Sequence, residues 1–182
     1  MNTEDKLKEF RSYGSPFYLK EPTLNKKKHI ASLLIILLFS IANPLFFISF
    51  IAYLIFLLYK IKQYNSEENT GLSKAISLYK KKKYIESIDY IDKVIEKKPE
   101  DIKSNIIKAL NHFELGQYEY YIMHIEKVPS KYLSNDLDLQ LKLGESYESI
   151  NQYEEAKIIY KKLYDIFPES SYLKEKIYKL SR

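Results

Sequence analysis

The stretch KKKYIESIDYIDKVIEKKPED, residues 81–101, recurs 69 residues later as INQYEEAKIIYKKLYDIFPES, residues 150–170. Under that offset Tyr84 meets Tyr153, Glu86 meets Glu155, Lys93 meets Lys162, Pro99 meets Pro168 and Glu100 meets Glu169. A middle copy lies between them, because Tyr118 is 34 residues after Tyr84 and 35 before Tyr153. In that register Ala75 aligns with Ala109, Ile88 with Ile122, Ile91 with Ile125 and Val94 with Val128. Within a copy the apolar residues fall at helical spacing: Ile88, Ile91 and Ile95 in the first, Ile159, Leu163 and Ile166 in the third. A unit of this length holds two short helices, and one such pair buries too little alone. Copies must therefore stack on one another.

Working outward, the third copy carries the most specific signs. Leu143-Gly144, Tyr147, Ala156, Tyr160 and Pro168 make it resemble the tetratricopeptide repeat, whose Leu-Gly, Tyr, Ala, aromatic and Pro positions they match. It departs at Gln140, where that family has an aromatic, and at Leu163, where it has a small residue. The first copy keeps Ala75, Tyr84, Ser87 and Pro99, with Leu78 at the usual Tyr position. The second keeps Ala109 and Gly116-x-Tyr118, but departs at His112, at bulky Tyr121 and at Leu133. Pro129 should also end its second helix early, so a distorted copy is expected there. The repeats read as 68–101, 102–136 and 137–170, with 171–182 as a capping helix.

The other organising feature is the run from Ile30 to Tyr59, which holds no charged residue although 29% of the chain is charged. Lys26, Lys27 and Lys28 precede it; Lys60 and Lys62 follow. As one straight helix the run would be ~45 Å long, more than the ~30 Å of bilayer hydrocarbon. Asn43-Pro44 near its middle interrupts any helix. Two geometries fit: a transmembrane hairpin of about 30–42 and 45–59, or one kinked and tilted span. Lysines on both flanks favour the hairpin, with both ends and the repeats on the cytoplasmic face. The run starts too late and is too long for a signal peptide. Residues 1–29 read as a flexible basic leader and 60–67 as a linker.

The expected fold class is thus all-α: a transmembrane helical hairpin or one kinked span, then an α-solenoid of three helix pairs and a capping helix. The family resemblance implies that the first helix of each repeat lines a groove that holds a peptide or helix of a protein partner. By alignment those positions include Leu72, Ile76, Tyr79, Lys80, Ile106, Leu110, Phe113, Leu141, Glu145 and Glu148. That gives an apolar strip over two copies and an acidic end in the third. The same side chains also fit plain packing, or cover by the chain's own leader or cap. A subgroup of this family clamps C-terminal carboxylates, but the corresponding Leu72, Ile76, Ile107, Asp138 and Lys142 retain only one compatible side chain, Lys142.

Composition excludes other chemistries. There is no cysteine, so no disulfide and no thiolate zinc site. The net charge is +5, but only Arg11 and Arg182 are arginines, which argues against nucleic-acid readout. His29, His112 and His124 lack metal-ligand spacing, and four scattered glycines make no phosphate loop. No enzyme activity and no cofactor are expected. Function therefore reads as a membrane-anchored scaffold that holds a protein partner. The alternative is a structural subunit held in a larger membrane complex through its hairpin. The sequence sets no oligomeric state.

Overall fold

A computed structural model describes residues 16–43, 45–134 and 136–181. Among these residues every regular element is helical. A 3-10 turn at Phe17–Leu19 is followed by α1 (Lys26–Ala42), α2 (Leu45–Tyr64), α3 (Glu67–Lys80), α4 (Tyr84–Lys97) and α5 (Ile102–Glu114). Then come α6 (Tyr118–Ile125), the short α7 (Ser130–Leu133), α8 (Leu137–Ser149), α9 (Tyr153–Ile166) and α10 (Ser171–Lys179). Helices α3 and α4, α5 and α6, and α8 and α9 form the three pairs; each pair packs on the next, and α10 packs on α9.

The same local chemistry recurs at each boundary. The first helix of every pair, and α10, opens on a side-chain cap: Ser66, Asp101, Asp136 and Ser170 accept the N–H groups of Asn69, Ser104, Leu139 and Leu173. The turn into each second helix holds one residue in the left-handed region: Lys82 at φ 60°, Gly116 at 72° and Asn151 at 62°. There the N–H groups of Lys83, Gln117 and Gln152 donate back to the carbonyls of Leu78, His112 and Tyr147 at 2.9–3.0 Å. This closes the helix end in a Schellman motif. Three short turns of one form fix the helix-to-helix angle, so the repeat is copied by backbone geometry as well as by packing.

Small residues set how closely the paired helices approach. Ala75, Ala109, Ser87 and Ala156 are fully buried. The Ser87 hydroxyl donates to the Ala75 carbonyl at 2.8 Å, and Asn111 Nδ2 donates to Ser87 Oγ at 2.9 Å, tying α3, α4 and α5 together. At Gly144 a Cβ would stand 2.8 Å from the Tyr160 ring, so α8 and α9 meet there in a contact only glycine allows. The second pair departs from the rule. Its α6 has 8 residues and stops before Pro129. The bulky Tyr121 is wholly buried and its hydroxyl donates to the Leu139 carbonyl at 2.8 Å. Gln140, the other departure, donates to the carbonyls of Leu133 and Ser134 at 3.1 and 3.0 Å. The two irregular side chains thus tie the irregular α7 region to the third pair.

Helices α1 and α2 form an antiparallel hairpin: His29 Nδ1 lies 2.9 Å from the Tyr53 hydroxyl near its open end, and the Phe39 and Phe46 rings are 5.7 Å apart near its tip. The chain turns back, so one continuous kinked helix does not describe it. Pro44 lies outside the described residues, as do residues 1–15. Two boundaries differ from the sequence reading. Lys60–Tyr64 continue α2, because nothing in that stretch breaks a helix, and only Asn65 and Ser66 separate it from α3. Residues 16–25 are not a free leader: they carry the 3-10 turn and the buried Tyr18, and Lys26–His29 already belong to α1.

Open space surrounds Gly116, so Gly116→Ala isolates the backbone cost of its positive φ and should destabilise the fold by about 1 kcal/mol. Lys82→Gly should stabilise it by about 0.5 kcal/mol, since relief of strain slightly exceeds the added unfolded-state freedom. Urea unfolding of both variants checks the pair of opposite signs.

Candidate partner-binding groove

The first helices α3, α5 and α8 present Leu72, Ile76, Ile106, Leu110 and Leu139 to a common seam. Residues 16–21 lie across it. Tyr18 is 1% exposed and belongs to the same hydrophobic cluster. Its hydroxyl lies near the Asp136 carboxylate. Burial, then the negative Asp136 and Asp138, push the phenol well above its ordinary pKa. Burial likewise lifts the Asp136 carboxyl above the usual carboxylate range, although it caps α8 by accepting the Leu139 N–H at 3.0 Å. Around this anchor the contacts are lighter. Phe17 meets Tyr18 edge-on at 5.4 Å and Tyr132 at 5.6 Å. Lys103 Nζ donates to the Lys20 carbonyl at 3.2 Å. An exposed Lys80–Glu21 pair at 3.5 Å adds little in water.

The groove residues read from the sequence are therefore covered by the chain itself. Leu72, Ile76, Ile106 and Leu110 are buried in the cluster that receives Tyr18. Tyr79 and Phe113 are half-buried at its edge. Tyr79 lies 5.9 Å from the Tyr84 ring, and Phe113 meets Tyr121 edge-on at 5.3 Å beneath the Lys142 ammonium. The acidic end faces α10. Glu145 accepts from the Tyr172 hydroxyl at 2.9 Å, and Glu148 accepts from Tyr160 at 2.7 Å and from Lys176 Nζ at 2.8 Å. Leu141 packs against the second cluster, built around Tyr160, Leu163 and Leu173. An apolar strip this long is costly in water. The leader covers one end of it and the capping helix the other.

Sequence reasoning missed Tyr18 and Asp136. The only signal for Tyr18 is the run Phe17-Tyr18-Leu19 between two prolines, too short to show a period. Asp136 carries no sign in the sequence of lying near a phenol 118 positions away in the chain. The histidines lie elsewhere. His112 and His124 stack with ring centroids 5.7 Å apart on adjacent helices α5 and α6. Each Nδ1 faces an amide oxygen, Gln117 Oε1 at 2.6 Å and Asn105 Oδ1 at 3.2 Å, so Nδ1 carries the proton. Neither Nε2 has a hydrogen-bond partner among the described residues. Burial, with Lys108 and Lys127 nearby, lowers His124 to about 4, and burial lowers His112 as well.

With the geometry described, comparison with known proteins adds one match. Residues 138–170 fit the model of the tetratricopeptide repeat, which supports a protein of that repeat class. That span holds α8, α9 and the Gly144–Tyr160 contact. Such repeats are typically non-catalytic and serve as protein-interaction scaffolds. No match was found among curated proteins.

The stacked imidazoles give a pH dependence of definite sign. His124 binds its proton at about pH 6.5 when unfolded but only near pH 4 when folded, so the unfolded chain holds more protons between these values. Stability should be full above pH 6.5 and fall as the pH drops towards 4, by ~2 kcal/mol between pH 7 and 5 from His124 alone. His124→Gln should flatten that slope in urea titrations at the two pH values; an unchanged slope contradicts the assignment.

Proposed function

We propose that this protein is a scaffold tethered to a membrane surface by the α1–α2 hairpin, holding a protein partner through the repeats α3–α10 on the cytoplasmic face. The observation that carries this reading is Tyr18. The chain before the hairpin is buried in the fold that follows it, so both ends of the hairpin must lie on one side of any bilayer. Helix α2 is long and apolar enough to cross a membrane, and none of its residues is buried. A crossing by α2 alone would separate Tyr18 from the repeats; α1 has to bring the chain back.

The hairpin suits a lipid environment in other ways. Leu38, Ile41, Leu45, Ile48, Ile55 and Leu58 are all more than half exposed, which in water would be a large unpartnered apolar surface. The tip satisfies its own backbone. The Asn43 N–H donates to Phe39 O, Asn43 O accepts from the Phe46 N–H, and Asn43 Oδ1 accepts from the Leu45 N–H, each at 3.0 Å. Hydrocarbon tolerates only backbone paired in this way. The uncharged arms, Ile30–Ala42 and Leu45–Tyr59, would reach ~20 Å at 1.5 Å per residue, short of the ~30 Å core. The tip then stops within the bilayer, and lysines at both open ends mark the cytoplasmic side. Held there, a weak partner site gains from effective concentration.

The chain has no cysteine, so single cysteines report sidedness cleanly. Lys20→Cys and Lys161→Cys should both react with an impermeant maleimide in inverted vesicles and neither in right-side-out ones. Asn43→Cys should react in neither until detergent is added. Labelling of positions 20 and 161 from opposite sides overturns the reading.

A further inference from the structure

The strap of residues 16–21 is distinct from the repeats it covers. The close contacts that set the pairs, Ser87 on Ala75 and Gly144 on Tyr160, do not use it. It is a three-residue 3-10 turn with no side-chain cap, and residues 20–25 beyond it have no regular structure. Only Tyr18 among its residues is buried; Phe17 is 37% exposed and the ion pair at Glu21 is open to solvent. The seat, by contrast, is built to receive a specific group. Withdrawing the ring would leave an apolar recess among Leu72, Ile76, Ile106, Leu110 and Leu139, with the half-buried Asp136 carboxylate near the place of the hydroxyl. That seat asks for an aromatic ring with a neutral polar tip.

From this geometry we infer that the Tyr18 seat is the peptide-binding site of the repeats, occupied in cis, and that its partner ligand is a protein segment presenting an unphosphorylated tyrosine between two apolar residues in a tight turn. The flanks refine the class. Tyr18 is 1% exposed, so a phosphate on the ring would be buried in an apolar recess whose nearby charges, Asp136 and Asp138, are negative, and it would be rejected. Lys80 pairs with Glu21 at the strap's exit, a solvent-open contact compatible with an acidic residue three positions after the tyrosine, and Lys103 holds the Lys20 carbonyl, which any residue supplies. A partner with this pattern displaces the strap, which competes from a tether of a few residues and thus at high effective concentration. Displacement also frees the hairpin's leading end from the repeats, leaving α2 as their remaining link to the membrane.

This inference rests on reading the repeats as an interaction scaffold, and the test separates the two. The probe is a fluorescent peptide SPFYLKE, copying residues 15–21, titrated against the full chain in detergent micelles. Two variants open the seat: Tyr18→Ala removes the anchor, and the double variant Phe17→Ala with Leu19→Ala loosens the strap without hollowing the core. Helical circular dichroism reports that each remains folded. Wild type should bind weakly and at least one folded variant roughly 10-fold or more tighter, because the tethered competitor is weakened. The Tyr-to-Phe peptide should lose roughly 5-fold, and the phosphotyrosine peptide should not bind. If no peptide binds either opened variant, the scaffold reading of this groove fails. If all three bind alike, the tyrosine inference fails alone. Should the opened variants dimerise by exchanging straps and exclude the peptide, the ligand is a second copy and the foreign-partner assignment is overturned.

Discussion

A phenol held under three helices governs the arrangement of everything else. Tyr18 precedes the hairpin in sequence yet sits in the cluster formed by α3, α5 and α8. This one burial ties the leading end of the hairpin to the domain that follows it. It also closes the groove that the repeats would otherwise expose. Only Tyr18 of the strap is buried, and its neighbours add light or solvent-open contacts. A segment held by one side chain suits exchange of one occupant for another.

The repeats themselves are held by a different principle. Their period is written in backbone as much as in side chains. A capped start, a left-handed residue and a back-donated hydrogen bond recur every 34 or 35 residues. The second copy shows what happens when the side-chain rule lapses. A tyrosine occupies the small-residue position, the second helix is cut short, and the usual proline is missing. The structure absorbs this by sending Tyr121 to the Leu139 carbonyl and Gln140 back to the carbonyls of Leu133 and Ser134. These departures from the pattern are compensations for one another, and they lie beside Asp136, where the strap is received.

Much of the fold was legible in the sequence because packing leaves a periodic trace. Tyr84, Tyr118 and Tyr153 mark the starts of α4, α6 and α9, and Pro129 marks the end of the short α6 region. The uncharged run and Asn43 mark the hairpin. The site was legible only in part. Leu72, Ile76, Ile106 and Leu110, which the alignment placed in a partner groove, are buried together in one cluster. Cover by the leader or the cap was one of the readings left open, but the residue that makes it was not legible, because Tyr18 acts alone. A single aromatic in a three-residue turn has no repeat, no partner at helical spacing and no charge pattern, so its contacts exist only in three dimensions. At the acidic end Glu145 and Glu148 accept from Tyr172 and Lys176 of the capping helix, which pattern alone placed but did not orient.

The central question is whether the segment before the hairpin lies on the repeats in the native protein. Cysteines placed at Phe17 and Tyr132, whose rings are 5.6 Å apart, make this directly measurable in native membranes with a short bismaleimide, since no other cysteine competes. The account requires an intramolecular cross-link in most molecules, absent when the partner cysteine is moved to exposed Glu169. Equal cross-linking to both positions, or none to position 132, would contradict it.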